Sequence, residues 1–377
     1  MGPLYLDYNA TTPLDPQVFE AMTPWFLTEP GNSGSRTHVY GQRAKDAVER
    51  ARELVASHFA AAPEEIVFTS GATESNNIAL LGIARHGESV GKKHILASSI
   101  EHKAILEPLE YLERHGFEIE LLPVTAGGFV EPDTLRSRIR RDTLLISVMH
   151  ANNETGVLQP IEEIGQIAQS AGILFHVDAA QTFGKEVATL RTLPCDFASI
   201  SAHKIYGPKG IGALLVRRKP GTRRMLDAIT FGGGQERGLR PGTVAVPLVV
   251  GLGKAAQLAQ TTWRERQEQA RQIKAAILDG LASVEFLING DQDRCQSHVL
   301  NLSFVGIDSE AFMMATRELI AVSNGSACTS TAYTPSHVLL AMGLDDARIE
   351  SAIRISWGHE QIRFPGRDVA NQIHALR

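Results

Sequence analysis

Seven short apolar segments between residues 65 and 216 constrain this chain more than any other feature of its sequence. They fall at 66–68, 94–96, 119–122, 144–149, 174–177, 197–200 and 211–216. Most are unbroken rather than alternating, which is the pattern of strands buried on both faces. Amphipathic stretches separate them. Residues 161–171, for example, place Ile161, Ile164, Ile167 and Ala168 at helical spacing. Strand and helix in alternation predict a doubly wound α/β domain with a mostly parallel central sheet. The pattern changes after residue 258. A polar helix-prone stretch (262–282), a strand (299–304), a helix (309–319), a Ser/Gly-rich loop and a last strand (353–356) predict a smaller α+β domain.

Composition excludes several classes. The chain has 377 residues, 43% of them hydrophobic and 21% charged, which is unlike a disordered, collagenous or coiled-coil protein. Its 37 Lys and Arg against 42 Asp and Glu give a net charge of −5, so no direct nucleic-acid binding is expected. Basic runs at Arg138, Arg140 and Arg141, and at Arg217, Arg218 and Lys219, read as solvated surface. The uncharged segment 319–344 is long enough to cross a bilayer but too rich in Ser, Thr, Asn, Gly and Pro to face lipid. No membrane association is expected. The N-terminus lacks a charged and then apolar leader, and three scattered cysteines do not make a disulfide framework. A reducing, cytoplasmic setting is the expectation, with no metal site.

Ligands of open α/β sheets gather at the carboxyl ends of the strands. After the first strand comes Thr69-Ser70-Gly71-Ala72-Thr73-Glu74-Ser75-Asn76, which is either a helix cap or a cradle for a phosphate. Asp178 ends the strand at 174–177, and a buried acid there needs a partner: a backbone cap, a metal or a cationic nitrogen. Lys204 follows another strand within Ser201-Ala202-His203-Lys204, where desolvation would suit a Schiff-base amine. Two further strand ends supply Glu101-His102-Lys103 and His150-Ala151-Asn152-Asn153. Together these meet the needs of pyridoxal 5'-phosphate (PLP): a phosphate anchor, an acid for the ring nitrogen, a lysine for the aldehyde and an aromatic to stack on the ring. Cys328 lies among Ser323-Asn324-Gly325-Ser326-Ala327 and Thr329-Ser330-Thr331, without bulky apolar neighbours. That setting suits an exposed, reactive thiol, whereas Cys195 reads as packed and Cys295 as incidental.

These motifs resemble the class I (NifS/IscS-like) cysteine desulfurases. The resemblance runs from Tyr5-Leu6-Asp7-Tyr8-Asn9-Ala10-Thr11-Thr12-Pro13 through His176-Val177-Asp178-Ala179-Ala180-Gln181, Gly232-Gly233-Gly234-Gln235-Glu236-Arg237, Arg240-Pro241-Gly242-Thr243 and Gly325-Ser326-Ala327-Cys328-Thr329-Ser330 to Arg354-Ile355-Ser356-Trp357-Gly358. It implies a homodimeric fold-type I PLP enzyme. Its large domain would be 13–258. Its small domain would be 1–12 with 259–377, carrying the cysteine loop.

The resemblance also implies roles. Lys204 would hold PLP and move the Cα proton, Asp178 would keep the pyridine nitrogen protonated, and Gln181 would bond the phenolic oxygen. His102 would stack on the ring and assist proton transfer. Ala72, Thr73, Ser201 and His203 would bind the phosphate, with Thr243 reaching in from the other subunit. Asn153 and Arg354 would bind the carboxylate of L-cysteine, the guanidinium bidentately. Cys328 would take the sulfur as a persulfide, release alanine and pass the sulfur to an acceptor protein. The chain ends soon after its last strand, so the docking tail of the iron–sulfur assembly type is not expected. Residues 231–237, 289–293 and 334–339 are more similar to the desulfurase of DNA phosphorothioation systems, DndA. Iron–sulfur assembly and tRNA thiolation are alternative destinations for the sulfur. A selenocysteine lyase or an aminotransferase of the same fold would share Lys204 and Asp178 but would not need Cys328. A PLP-binding scaffold without turnover is a third reading.

Overall fold

The computed structural model describes residues 2–218, 225–324 and 334–377. Twelve strands are present among them: β1 (Leu4–Tyr5), β2 (Ile66–Thr69), β3 (His94–Ser98), β4 (Glu118–Leu122), β5 (Thr143–Ser147), β6 (Leu174–Asp178), β7 (Phe197–Ser201), β8 (Gly212–Val216), β9 (Leu287–Ile288), β10 (Val299–Ser303), β11 (Ile320–Ala321) and β12 (Ala352–Ser356). Seven of these form the central sheet in the order β2-β8-β7-β6-β5-β3-β4.

The unbroken apolar runs become strands buried along their whole length, as in β2, β3, β5, β6 and β7. β4 departs from this: it is an edge strand and only Leu122 is buried. All pairings from β7 to β4 are parallel, whereas β8 runs antiparallel to both β7 and β2. A tight Lys209-Gly210 turn, with Gly210 at φ +83, reverses the chain between β7 and β8. Helices cover both faces, giving one apolar cluster around Phe68, Ile146, Val177 and Ile200 and another around Val67, Ile95, Leu145 and Leu214. The α/β architecture with a mostly parallel central sheet is as the sequence predicts.

A third apolar cluster lies outside this sheet. β12, β10 and β9 form a three-stranded antiparallel sheet, and β1 pairs in parallel with β11. Leu6, Ile277, Leu302, Phe312, Ile355 and Trp357 pack together there. The helix Val246–Gly280 joins the two regions. Its first turns, through Ala256, pack with the large-sheet cluster, and Ala270, Ile273 and Ile277 pack with the smaller one. The sequence predicts a helix only over 262–282. Gly251 and Gly253 disguise the earlier turns, and the packing explains them: a Cβ on Gly253 would stand 2.7 Å from that of Ala51 in the helix Val39–Ser57.

Candidate active site

β3, β5, β6 and β7 end at one edge of the sheet, and β2, parallel to β7 through the intervening β8, ends there too. The loops beyond these ends line a cleft of about 520 Å³, a size typical of small-ligand sites. Lys204, Asp178, Gln181, Ser201 and His203 line it from β6 and β7. Ala72, Thr73, His102, Asn153 and Arg354 line it from the other loops and β12. Thr243 lies elsewhere on this chain and is exposed. Cys328 lies outside the described residues.

The floor of the cleft is electrostatic. Asp178 closes β6 and is buried. Its Oδ2 accepts from Asn76 Nδ2 at 2.8 Å and its Oδ1 from the Ala180 N–H at 2.9 Å. Two donors offset much of the cost of burying that carboxylate. Asn76 lies within the strand-end motif of the sequence, but its hold on Asp178 was not legible there, because the contact spans about a hundred residues.

Lys204 ends a short 3₁₀ turn after β7. Its Nζ donates to the carbonyls of Asn9 and, at 2.9 Å, Ala10. The N-terminal segment therefore holds the amine, with further clamps on the same turn. Thr12 N–H and Oγ1 both donate to the His203 carbonyl, and the Tyr206 N–H donates back to Thr12 Oγ1 at 2.8 Å. Tyr206 itself sits at φ +65, a left-handed conformation costing a non-glycine residue about 1–2 kcal/mol.

His102 is the N-cap of the helix Lys103–Arg114, and its Nδ1 accepts the Ala104 N–H at 3.0 Å. That bond leaves Nε2 as the protonated nitrogen of the neutral ring. Burial holds the imidazole below its ordinary range, Asp178 pulls it up, and Lys204 and His337 push it down. Behind it Glu101 is fully buried. Its Oε1 accepts from Ser98 and from the Met149 N–H, and burial pushes the acid up to about 8. His203 is lowered to about 4, by burial and then by Lys204.

The residues present fit PLP. At the head of the helix Ala72–Gly82, the cap Gly71 offers no side chain, and the N–H groups of Ala72 and Thr73 have no acceptor among the described residues. Such N–H groups form an anion cradle. The plain-cap alternative therefore lacks its side-chain bond. The backbone is also tight here: a Cβ on Gly212 would lie 2.7 Å from Gly71 Cα. Asp178 offers a carboxylate to a pyridine nitrogen. Gln181 Oε1 is buried without a hydrogen-bond partner among the described residues while its Nε2 donates to the Asn9 carbonyl, so one end of the amide can meet a ligand.

The carboxylate subsite is less open than the sequence suggests. Arg354 Nη2 is paired with Asp7 Oδ1 at 2.7 Å and Nη1 donates to the Asn153 carbonyl at 3.1 Å. Its buried Nε has no hydrogen-bond partner among the described residues. The hold of Asp7 was missed in the sequence because β12 and the N-terminus meet only in the fold. The Gly-rich loop is likewise pinned from afar. Glu236 receives a bidentate pair from Arg52, both contacts 2.8 Å, and the Phe68 N–H.

Comparison with known proteins agrees with this geometry. The aminotransferase class-V family model matches residues 4–362. The cysteine desulfurase IscS of Anaeromyxobacter sp. (strain Fw109-5) is 47% identical over all of this chain and 93% of its own length. A solved NifS-like protein superposes with a TM-score of 0.89 at 36% identity, covering 100% of this chain and 98% of its own. DndA from Streptomyces lividans gives 0.83 at 48% identity, covering 93% and 98%. A buried acid, a strand-end lysine and a phosphate cradle at one sheet edge, with relatives this similar over the full fold, have one common explanation: the chain belongs to the class-V aminotransferase family of fold-type I, PLP-dependent enzymes, and within it to the cysteine desulfurases.

Proposed function

We propose that this chain takes sulfur from L-cysteine onto Cys328 as a persulfide, releases L-alanine, and hands the sulfur to an acceptor protein. The convergence of Lys204, Asp178 and His102 on one cleft carries this reading. When bound, PLP supplies the sink for negative charge at the substrate carbons.

The protein's own residues do the rest. With PLP bound, Lys204 Nζ would hold its aldehyde carbon and later move the Cα proton. Asp178 would keep a proton on the pyridine nitrogen, itself held by Asn76. His102 would stack on the ring and could give its Nε2 proton. The N–H groups of Ala72 and Thr73, with Ser201 and His203, would hold the phosphate, and Thr243 from the other subunit of a homodimer would complete that set. Arg354 and Asn153 fix the carboxylate; Arg354 must loosen its hold on Asp7 to do so bidentately. Sγ of Cys328 then bonds to the substrate sulfur. The carbon–sulfur bond breaks with its electron pair left on carbon, and that carbon takes up a proton to become the methyl of alanine.

Cys195 and Cys295 are poor substitutes for Cys328. Burial pushes them up to about 12 and about 11, so neither is a thiolate at neutral pH. The test is alanine formed from L-cysteine by the PLP-loaded protein and by Cys328→Ala. Turnover by the wild type alone supports the reading. Turnover by neither sinks it in favour of another amino-acid substrate. Turnover by both moves the acceptor thiol elsewhere.

For the destination of the sulfur, residues 231–237, 289–293 and 334–339 support a DNA phosphorothioation partner. The equally high identity to IscS supports iron–sulfur assembly as the second reading. A cytoplasmic setting follows from the need for a free thiol. No helix among the described residues is long and apolar enough to cross a membrane.

A further inference from the structure

The helix that heads the cradle carries an acid. Glu74 stands in the first turn of Ala72–Gly82 and lines the same cleft as Lys204. Its Oε2 accepts the N–H of Ser70, one residue ahead of the cap Gly71. That bond folds the turn into the helix and leaves the N–H groups of Ala72 and Thr73 to a ligand. It also sets a carboxylate beside the cradle. A negative charge in the first turn draws on the same helix dipole that favours a bound anion, so an unbalanced Glu74 would compete with a phosphate. Burial works against the ionised acid, but bonds from Arg240 and Ser70 outweigh it and hold Glu74 below its ordinary range. The carboxylate is therefore charged at neutral pH.

Arg240 meets that charge with a fork. Its Nε lies 2.9 Å from Glu74 Oε1 and its Nη2 3.4 Å from Oε2. The two side chains are only 20% and 29% exposed, so water screens this pair less than an open surface pair. The loop that presents Arg240 is itself held. Arg52 and the Phe68 N–H grip Glu236, and Glu236 and Arg237 both take left-handed backbone, at φ +46 and +57. Successive non-glycine residues keep that conformation only where their surroundings enforce it. The anchoring thus fixes where the guanidinium arrives. We propose that Arg240 is a positioning residue of the PLP site: by cancelling the charge of Glu74, it lets that acid shape the cradle without repelling the cofactor's phosphate. The proposal rests on the cradle reading of Ala72 and Thr73, and not on the sulfur chemistry.

Its test is equilibrium dialysis of the wild type and variants against PLP and, separately, against pyridoxal, which has the same ring and aldehyde but no phosphate. Arg240→Gln is expected to weaken PLP binding roughly 5–30-fold, the range for a charge at a helix end, and pyridoxal binding by less than about twofold. Arg240→Lys is expected to fall between Arg240→Gln and the wild type. Glu74→Gln keeps an acceptor for Ser70 without the charge, and is expected to hold PLP at least as tightly as the wild type. Added to Arg240→Gln, it is expected to restore most of the lost affinity. A pair that only braces the fold would behave otherwise. Glu74→Gln alone would loosen PLP, the double variant would be no better than Arg240→Gln, or pyridoxal would be lost in proportion; any of these overturns the proposal. Glu74→Gln carries the test even if Arg240→Gln does not fold. Equal affinity of the wild type for PLP and pyridoxal would overturn the cradle reading and this proposal with it. A preference for PLP that no variant alters would overturn this proposal alone.

Discussion

At the scale of single residues, the site separates into groups that do chemistry and groups that hold them. Replacing Asp178 with Asn keeps its shape but removes its charge. A preorganised charge of this kind is worth roughly 10²–10³ in kcat, so Asp178→Asn is expected to lose about that much in steady-state assays while still binding PLP. Asn76→Ala is expected to act differently. It leaves the buried Asp178 Oδ2 without its 2.8 Å donor, costing about 1–3 kcal/mol of stability in urea unfolding, with a smaller loss of kcat than Asp178→Asn. Equal losses of kcat would contradict the division of labour. Lys204, Asp178 and His102 were legible in the sequence because each lies at, or within four residues of, the carboxyl end of an apolar strand. The contacts of Asn76, Asp7, Thr12 and Arg52 were not. Asn76, Asp7 and Thr12 stand within motifs that the sequence marks, but each acts on a residue more than a hundred positions away, as does Arg52, and a contact of that span leaves no local pattern.

At the scale of elements, backbone approach decides as much as side chains. Gly212 opens β8 against Gly71, the cap of the cradle helix, and an added Cβ would also stand 2.3 Å from the Ile200 carbonyl. Overpacking of this kind costs about 1–3 kcal/mol. Gly212→Ala is therefore expected to lower stability and, by displacing Gly71, to weaken PLP binding. Dialysis against buffer without PLP measures the second effect, and unchanged retention of PLP would show that the cradle does not depend on this contact. The strands of the central sheet were legible, mostly because burial on both faces writes unbroken apolar runs, and their boundaries erred by only a few residues; the two-residue strands β1, β9 and β11 were missed, being too short to leave such a run. The start of the helix Val246–Gly280 was not legible, since its glycines serve packing against Ala51 and Met22 rather than local helix preference. The reversed direction of β8 was also hidden, because an apolar run has no polarity.

At the scale of the whole molecule, buried titratable groups set the pH range of the fold. Burial lowers His150 to about 3 and His176 to about 4, and holds His298 well below its ordinary value. Unfolded histidine takes a proton below about 6.5. These three contribute fully above that pH, and the contribution is lost as pH falls toward the folded values, at most ~1.4 kcal/mol per pH unit for each. Glu101, raised to about 8, acts in the opposite sense: its contribution is lost as pH rises from about 4.5 to 8. His58, His102, His203 and His359 are also lowered and act with these three, while Glu154 and Glu186 are raised and act with Glu101; the histidines outnumber the acids, so the thermal midpoint is expected to rise between pH 5 and 6.5. A flat or falling profile would contradict the burial of these rings.

The whole-molecule claim is that a PLP cleft built at one sheet edge delivers sulfur to a single thiol of this chain. Its most direct measurement is peptide mass mapping of the PLP-loaded protein after brief exposure to L-cysteine, without reductant or acceptor. One added sulfur atom on the peptide carrying Cys328, with the Cys195 and Cys295 peptides unchanged, is the expected result. Alanine formed with no sulfur on Cys328, or with sulfur on either other cysteine, would contradict it.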